Sequence, residues 1–269
     1  MRNPQDIRDV LEAAAQGAKP VKFKEWGLCA VSPFWKDLPH CDIFSALTPD
    51  ILHQLHKGVF KDHVVNWSTA CVSGGEVEVD RRFRMMPRHA SLRHFKKGIS
   101  LVTQWTGTEF KNMEKVFLGA LAGSAEKDVI LAVRAVLDFI YYAHFEIHSD
   151  DSLDMLEASW RDFHHYKHVF VRLNIRSEFN IPKVHSMQHY MSSIRNLGAA
   201  DGYSMEGPER LHINFAKVAY GFSNKRSTYI KQMAVWLERQ EAAHHHDAYI
   251  FWTIQEACSP EDTSFNLDR

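Results

Sequence analysis

Apolar positions recur at steps of three and four along most of the chain, the spacing of helices that bury one face. Ile7, Val10 and Leu11 follow Pro4 and predict a short amphipathic helix over 4–16. Thr48-Pro49-Asp50 reads as a helix start: a hydroxyl cap, a first-turn proline and an acid at the positive dipole end. That helix is expected to run to about Ala70 and to stop at Gly74-Gly75. Val79, Phe83 and Met86 place another over 76–86. Ser124 is expected to cap a helix carrying Val129, Val133, Val136 and Ile140. Ser152 is expected to cap one carrying Leu156, Trp160, Phe163, Phe170 and Leu173. Further helices are predicted from Pro182 to Leu197, from about Pro208 to Tyr220, and from Ser227 to Ala243. Only 98–105, GISLVTQW, alternates well enough for a short strand.

Two stretches lack the helical rhythm. Residues 17–47 set Phe23, Trp26, Phe34 and Trp35 among prolines, which suggests an extended wrap over a surface. The stretch after Gln255 is acidic and poor in apolar residues, and fraying is expected there. The organisation predicted is an extended N-terminal segment with one short helix (1–47), a helical domain (48–254) and a tail (255–269). The fold class is mainly α, with little or no β-sheet.

Composition narrows the function classes by exclusion. Apolar residues are 45% and charged residues 24%, the balance of a soluble globular protein. The longest stretch without a charge, His63 to Gly75, is 13 residues, too short to span a bilayer, so no membrane partner is expected. No apolar run follows Arg2, so no signal peptide is read and an intracellular location is expected. Cys29, Cys41, Cys71 and Cys258 are scattered without a C-x-x-C pair, which argues against a disulfide framework or a cysteine-based zinc module. With 32 Lys and Arg against 33 Asp and Glu, global charge names no polyanionic partner. Local charge has to.

Four constellations stand out. On a helix, Asp50, His53, Lys57 and Lys61 share one stripe, a pattern suited to phosphate or a metal and equally to a capping acid above a solvated basic face. Arg81, Arg82, Arg84, Arg88, Arg93, Lys96 and Lys97 place seven positive charges in 17 residues with no acid among them. Such a run suits contact with a polyanion, or a solvated face paired with acids such as Glu76, Glu78 and Asp80. In Glu206-Gly207-Pro208-Glu209-Arg210-Leu211-His212, Pro208 fixes the helix start and Glu209 sits beside it, as a metal ligand or a dipole partner. There Leu211, Phe215, Val218 and Phe222 are expected to form the buried stripe. The fourth is His244-His245-His246-Asp247; adjacent histidines on a helix point about 100° apart, which makes a His-dependent metal hydrolase a remote reading.

Longer blocks carry a family resemblance. PFWKDLPHCDIFSALTPDILHQLHKGVFKDH, SLRHFKKGISLVTQWTGTEFKNMEKVFLGALAG, DFIYYAHFE, FNIPKVHSMQHY, DGYSMEGPERLHINFAK and YIKQMAVWLERQEA resemble the Plavaka transposases of fungal DNA transposons, relatives of the CACTA group. The resemblance extends over residues 4 to 252. It implies an RNase H-like integrase fold that cuts and joins DNA with acidic residues holding two divalent ions, Mg²⁺ or Mn²⁺. Carried onto this chain, the family's D-x-x-H signature falls on Asp50 and His53, and its helical insertion on Leu55 to Ile181. The last catalytic and metal-binding acid falls on Glu209, with Glu206 the next choice.

The resemblance also implies a shortfall. The family's first two catalytic aspartates lie upstream of the blocks matched here. The expectation is therefore a C-terminal transposase portion: the helical insertion plus the last catalytic helix, binding no metal by itself and not cleaving DNA alone. The partners expected are DNA at transposon ends, an upstream transposase half and a second copy of the chain, and the expected location is the nucleus. The alternative is a non-catalytic DNA-binding module that uses the basic run Arg81 to Lys97.

Overall fold

The computed structural model describes residues 3–29, 31, 34–35, 38–39 and 43–257; the 258–269 part of the expected frayed tail lies outside them. The chain divides into two compact units, Met1–Thr48 and Pro49–Arg269. Among the described residues there is helix and no sheet, so the fold is mainly α.

In the first unit, α1 (Pro4–Ala15) starts where the sequence places it, with Pro4 in the first turn and the Asn3 side chain accepting from the Gln5 amide. The sequence suggests an extended course for residues 17–47. Among the described residues there, two further short helices form instead, α2 (Val21–Glu25) and α3 (Ile43–Ala46).

The second unit opens with a π-helix, Ile51–Val65, that passes without a break into α4 (Asn66–Ala70). Its cap is Asp50 rather than Thr48: the Asp50 side chain accepts from the His53 amide at 2.6 Å. Such i→i+5 winding is rare, and a run of fifteen residues gives this helix a wider turn than the α-helix the sequence predicts. Leu55, Val59, Phe60 and Val64 on it are fully buried, each contributing roughly 1.5–3 kcal/mol relative to exposure.

Around it pack α5 (Gly75–Met85), α6 (Gly107–Leu121) and α7 (Lys127–Ala143). Then follow α8 (Asp150–Tyr166), α9 (His168–Arg172), α10 (Pro182–Ser186) and α11 (Tyr190–Leu197). The most extensive helix pair is α7 with α8. Val129, Val133, Val136 and Ile140 are all fully buried on α7, as the apolar spacing requires.

The caps differ from those read in the sequence. Ser124 bonds the Leu121 carbonyl instead, and α7 starts after Glu126 with no side-chain cap. Ser149 caps α8, with Ser152 answering as the third residue of a capping box. Hydroxyls within a few residues of a start compete for the cap, and packing decides which wins.

No strand forms over 98–105. Asp80, buried on α5, accepts from the Ile99 amide at 2.7 Å and the Ser100 amide at 3.1 Å, and also from the Ser100 hydroxyl. This clamp bends the segment into turns at Gly98, whose φ of +88° suits glycine.

The last part of the unit is thinly packed. It comprises α12 (Glu206–His212), a second π-helix (Ile213–Val218), α13 (Ala219–Gly221) and α14 (Tyr229–Ala257). The expected buried stripe is open to solvent: Leu211 is 52%, Phe215 56% and Phe222 69% exposed. No other described part of the unit shields these faces. Phe222 instead stacks on Trp236, ring centroids 5.1 Å apart.

Candidate functional site

Asp50, His53 and Glu209 meet, although 156 residues separate the last two. The Asp50 carboxylate is held by its cap bond to the His53 amide and by the Met205 amide at 2.9 Å. It also meets His53 Nδ1 at 2.8 Å, while His53 Nε2 meets Glu209 at 2.7 Å. Burial pushes the Asp50 carboxyl up, but these hydrogen bonds outweigh it and hold the pKa below the ordinary value. His53 thus bridges the two carboxylates through its two ring nitrogens. The trio therefore ties the start of the first π-helix to α12.

Beside it runs a groove of about 660 Å³. His53, Lys57 and Lys61 line one wall, Glu209, His212 and Lys217 another, and Trp105 and Phe110 contribute aromatic surface. Asp62 also borders it and lies 3.7 Å from the Lys61 ammonium. Three lysines against two carboxylates leave the groove mildly basic before any histidine takes up a proton. Lys57 has no ion pair among the described residues, so its charge is available to a ligand.

Glu206, the second choice for a last acid, is not part of the trio. It pairs with Lys111 of α6 at 2.7 Å. A two-ion centre needs several carboxylate oxygens converging on the same pair of cations. Here Asp50 and Glu209 sit on opposite nitrogens of one imidazole and Glu206 sits on an ammonium. Among the described residues no three His, Cys, Asp or Glu side chains group as metal ligands. As placed, the carboxylates of Asp50, Glu209 and Glu206 are engaged by His53 and Lys111.

The basic run Arg81 to Lys97 is divided. Glu78 pairs with both Arg81 and Arg82, and its carboxyl is pulled down to about 2 by those hydrogen bonds. Arg82 also donates to the Ala122 carbonyl at 2.6 Å, and Arg93 pairs with the buried Glu109. Arg82 and Arg93 tie α5 and the intervening segment to α6, while the bonds of Arg81 stay within α5. Arg84, Arg88, Lys96 and Lys97 are exposed and carry no ion pair among the described residues. The His244–His246 run is exposed on α14, with His245 3.9 Å from Glu241.

One buried cluster escapes the sequence reading. His56 Nδ1 meets Glu114 at 2.5 Å, and His56 Nε2 meets His144 Nε2 at 2.8 Å, the two rings stacked at 4.8 Å. His56 and Glu114 are almost wholly buried. Burial raises the Glu114 carboxyl against the opposing bond from His56, and burial with the neighbouring His56 and Lys111 lowers His144 to about 4. His53 and His56 three apart are a visible signal in the sequence, but partners 58 and 88 residues away are not.

A family model described as Plavaka transposase matches residues 1–68, a span that includes Asp50, His53, Lys57 and Lys61. No curated protein and no solved structure matches this chain.

Proposed function

We propose that this chain is a DNA-binding portion of a Plavaka-type transposase, in which the His53–Glu209 groove takes the phosphate backbone. The observation that carries the reading is the convergence of Asp50 and His53, within the family match, on Glu209 beside Lys57, Lys61 and Lys217. In this reading Asp50 and Glu209 position His53 and the two walls of the groove, and the lysines meet phosphate. The chain does not cut DNA by itself, because its carboxylates are committed to His53 and Lys111. The intact enzyme would be CACTA-related, fungal and RNase H-like, would use Mg²⁺ or Mn²⁺, and would act in the nucleus with an upstream half or a second copy.

Binding of a labelled duplex, followed by anisotropy across a salt series, tests the groove. Replacing Lys57, Lys61 and Lys217 with Ala should lower the log–log salt slope by about 0.9 for each phosphate that is no longer neutralised. An unchanged slope refutes the groove. A plasmid-nicking assay with Mg²⁺ or Mn²⁺ tests the second claim. Metal-dependent nicking that Glu209→Ala abolishes would show that other acids complete a site.

A second reading has its own observation: Arg84, Arg88, Lys96 and Lys97 are exposed without an ion pair among the described residues. If this patch rather than the groove carries DNA, the quadruple Ala variant flattens the salt slope and the groove variant does not.

A further inference from the structure

Lys217 also lines a second concavity. Ala216, Lys217 and Tyr220 form one side, and Lys225, Arg226, Ser227, Tyr229 and Met233 the other, around about 590 Å³. Its lining holds three cations and two phenol rings but no carboxylate. None of the three cations has an ion pair among the described residues. Tyr220 and Tyr229 meet edge to face, centroids 5.4 Å apart, and Lys225 lies 5.8 Å over the Tyr220 ring. Both tyrosines are partly open to solvent, at 41% and 37% exposure.

The turn that carries the cations is held in shape. The Asn224 amide donates to the Gln232 side chain at 2.8 Å, and the Arg226 amide to the Asn224 side chain at 3.0 Å. Lys225 sits at φ +56°, a conformation few residues with a side chain adopt. The first turn of the 29-residue α14 borders the same hollow and adds its positive dipole end.

Cations without acids favour phosphate, and partly exposed aromatic rings favour stacking of an unpaired base. A duplex hides its base faces, so this combination selects a single strand. Lys217 lines both this hollow and the groove, so a strand could run from one to the other. We propose that the Tyr220–Tyr229 hollow binds an unpaired stretch of single-stranded nucleic acid, its bases stacking on the rings and its phosphates meeting Lys217, Lys225 and Arg226. The continuity with the groove rests on the DNA reading above; the hollow's own chemistry does not.

Labelled oligo-dT is titrated into the full chain and compared with a duplex of equal length and with dTMP. The single strand is expected to bind more tightly than either. Tyr220→Leu and Tyr229→Leu keep the bulk but remove the π-face, and each should weaken oligo-dT by roughly tenfold, with Trp at the same position restoring it. Lys225→Gln with Arg226→Gln should lower the salt slope by about 1.4, the single-strand value for two phosphates. Far-UV spectra confirm that each variant is folded. Oligo-dT binding that both Leu variants leave unchanged overturns the proposal, as does dTMP binding as tightly as the oligonucleotide. If the lysine groove variants bind duplex normally while the Leu variants lose oligo-dT, the groove reading fails and this one stands.

Discussion

Replacing Glu114 with Leu should be among the most damaging single changes in the second unit. Its carboxylate is 3% exposed and lies 2.5 Å from His56, which is 1% exposed. Leucine fills comparable space and relieves the burial of an acid whose pKa desolvation has raised. It also leaves His56 Nδ1 with no acceptor in a place water does not reach. An orphaned buried donor costs about 1–3 kcal/mol, and breaking a buried charged pair about 3–5 kcal/mol. The expected loss is therefore about 3 kcal/mol, which at roughly 2–4 °C per kcal/mol lowers Tm by about 6–12 °C. Glu114→Gln keeps an acceptor at the same position and should cost under about 1 kcal/mol. His56→Leu combined with Glu114→Leu removes both partners and should recover part of the loss, giving a coupling of about 1–3 kcal/mol. Urea unfolding followed by tryptophan fluorescence reads these variants together with His56→Leu alone, which closes the cycle. If Glu114→Leu costs no more than Glu114→Gln, or if the double variant is simply additive, the two side chains are not a coupled pair and the reasoning fails.

Three further outcomes follow from the same geometry. His144 has a folded-state pKa of about 4 against an ordinary 6.5, so between those values the unfolded chain takes up the proton first; its contribution is complete above about pH 6.5 and lost as pH falls towards 4. Discounted for its partial exposure, that is about 1–2 kcal/mol, and unfolding scans at several pH values should show a shallower decline in His144→Gln than in the native chain. Gly98→Ala would put a methyl 2.2 Å from the Asp80 side chain at a left-handed φ, so it should lower Tm more than Gly202→Ala, where nothing lies within 4 Å. Thr106→Ala removes half of the capping box with Glu109 at the start of α6 and should cost about 0.5–2 kcal/mol by urea unfolding.

Much of the helical scaffold was already determined by local chemistry. The step of three and four from Val129 to Ile140 can bury its side chains only as a helix, and those residues are the centre of α7. Pro4 and Pro182 open helices for the same local reason, a fixed φ and no amide to satisfy. Asp50 next to His53 was legible because a capping acid and the side chain three residues on are neighbours in any helical start. What local pattern left open, the tertiary structure decided. Which hydroxyl caps a helix, and whether GISLVTQW pairs as a strand, depended on partners such as the buried Asp80. Periodicity at Leu211, Phe215 and Phe222 marks an apolar face but not what covers it, and no described part of this unit does. Glu209 on His53, Glu114 on His56 and Tyr220 against Tyr229 are meetings across elements, and sequence spacing carries no information about which helices pack together. Winding of the first helix belongs with them: the spacing of His53, Lys57 and Lys61 already put them on one stripe, but only the packed structure set the wider turn of that helix and placed Glu209 and Lys217 across the groove from them.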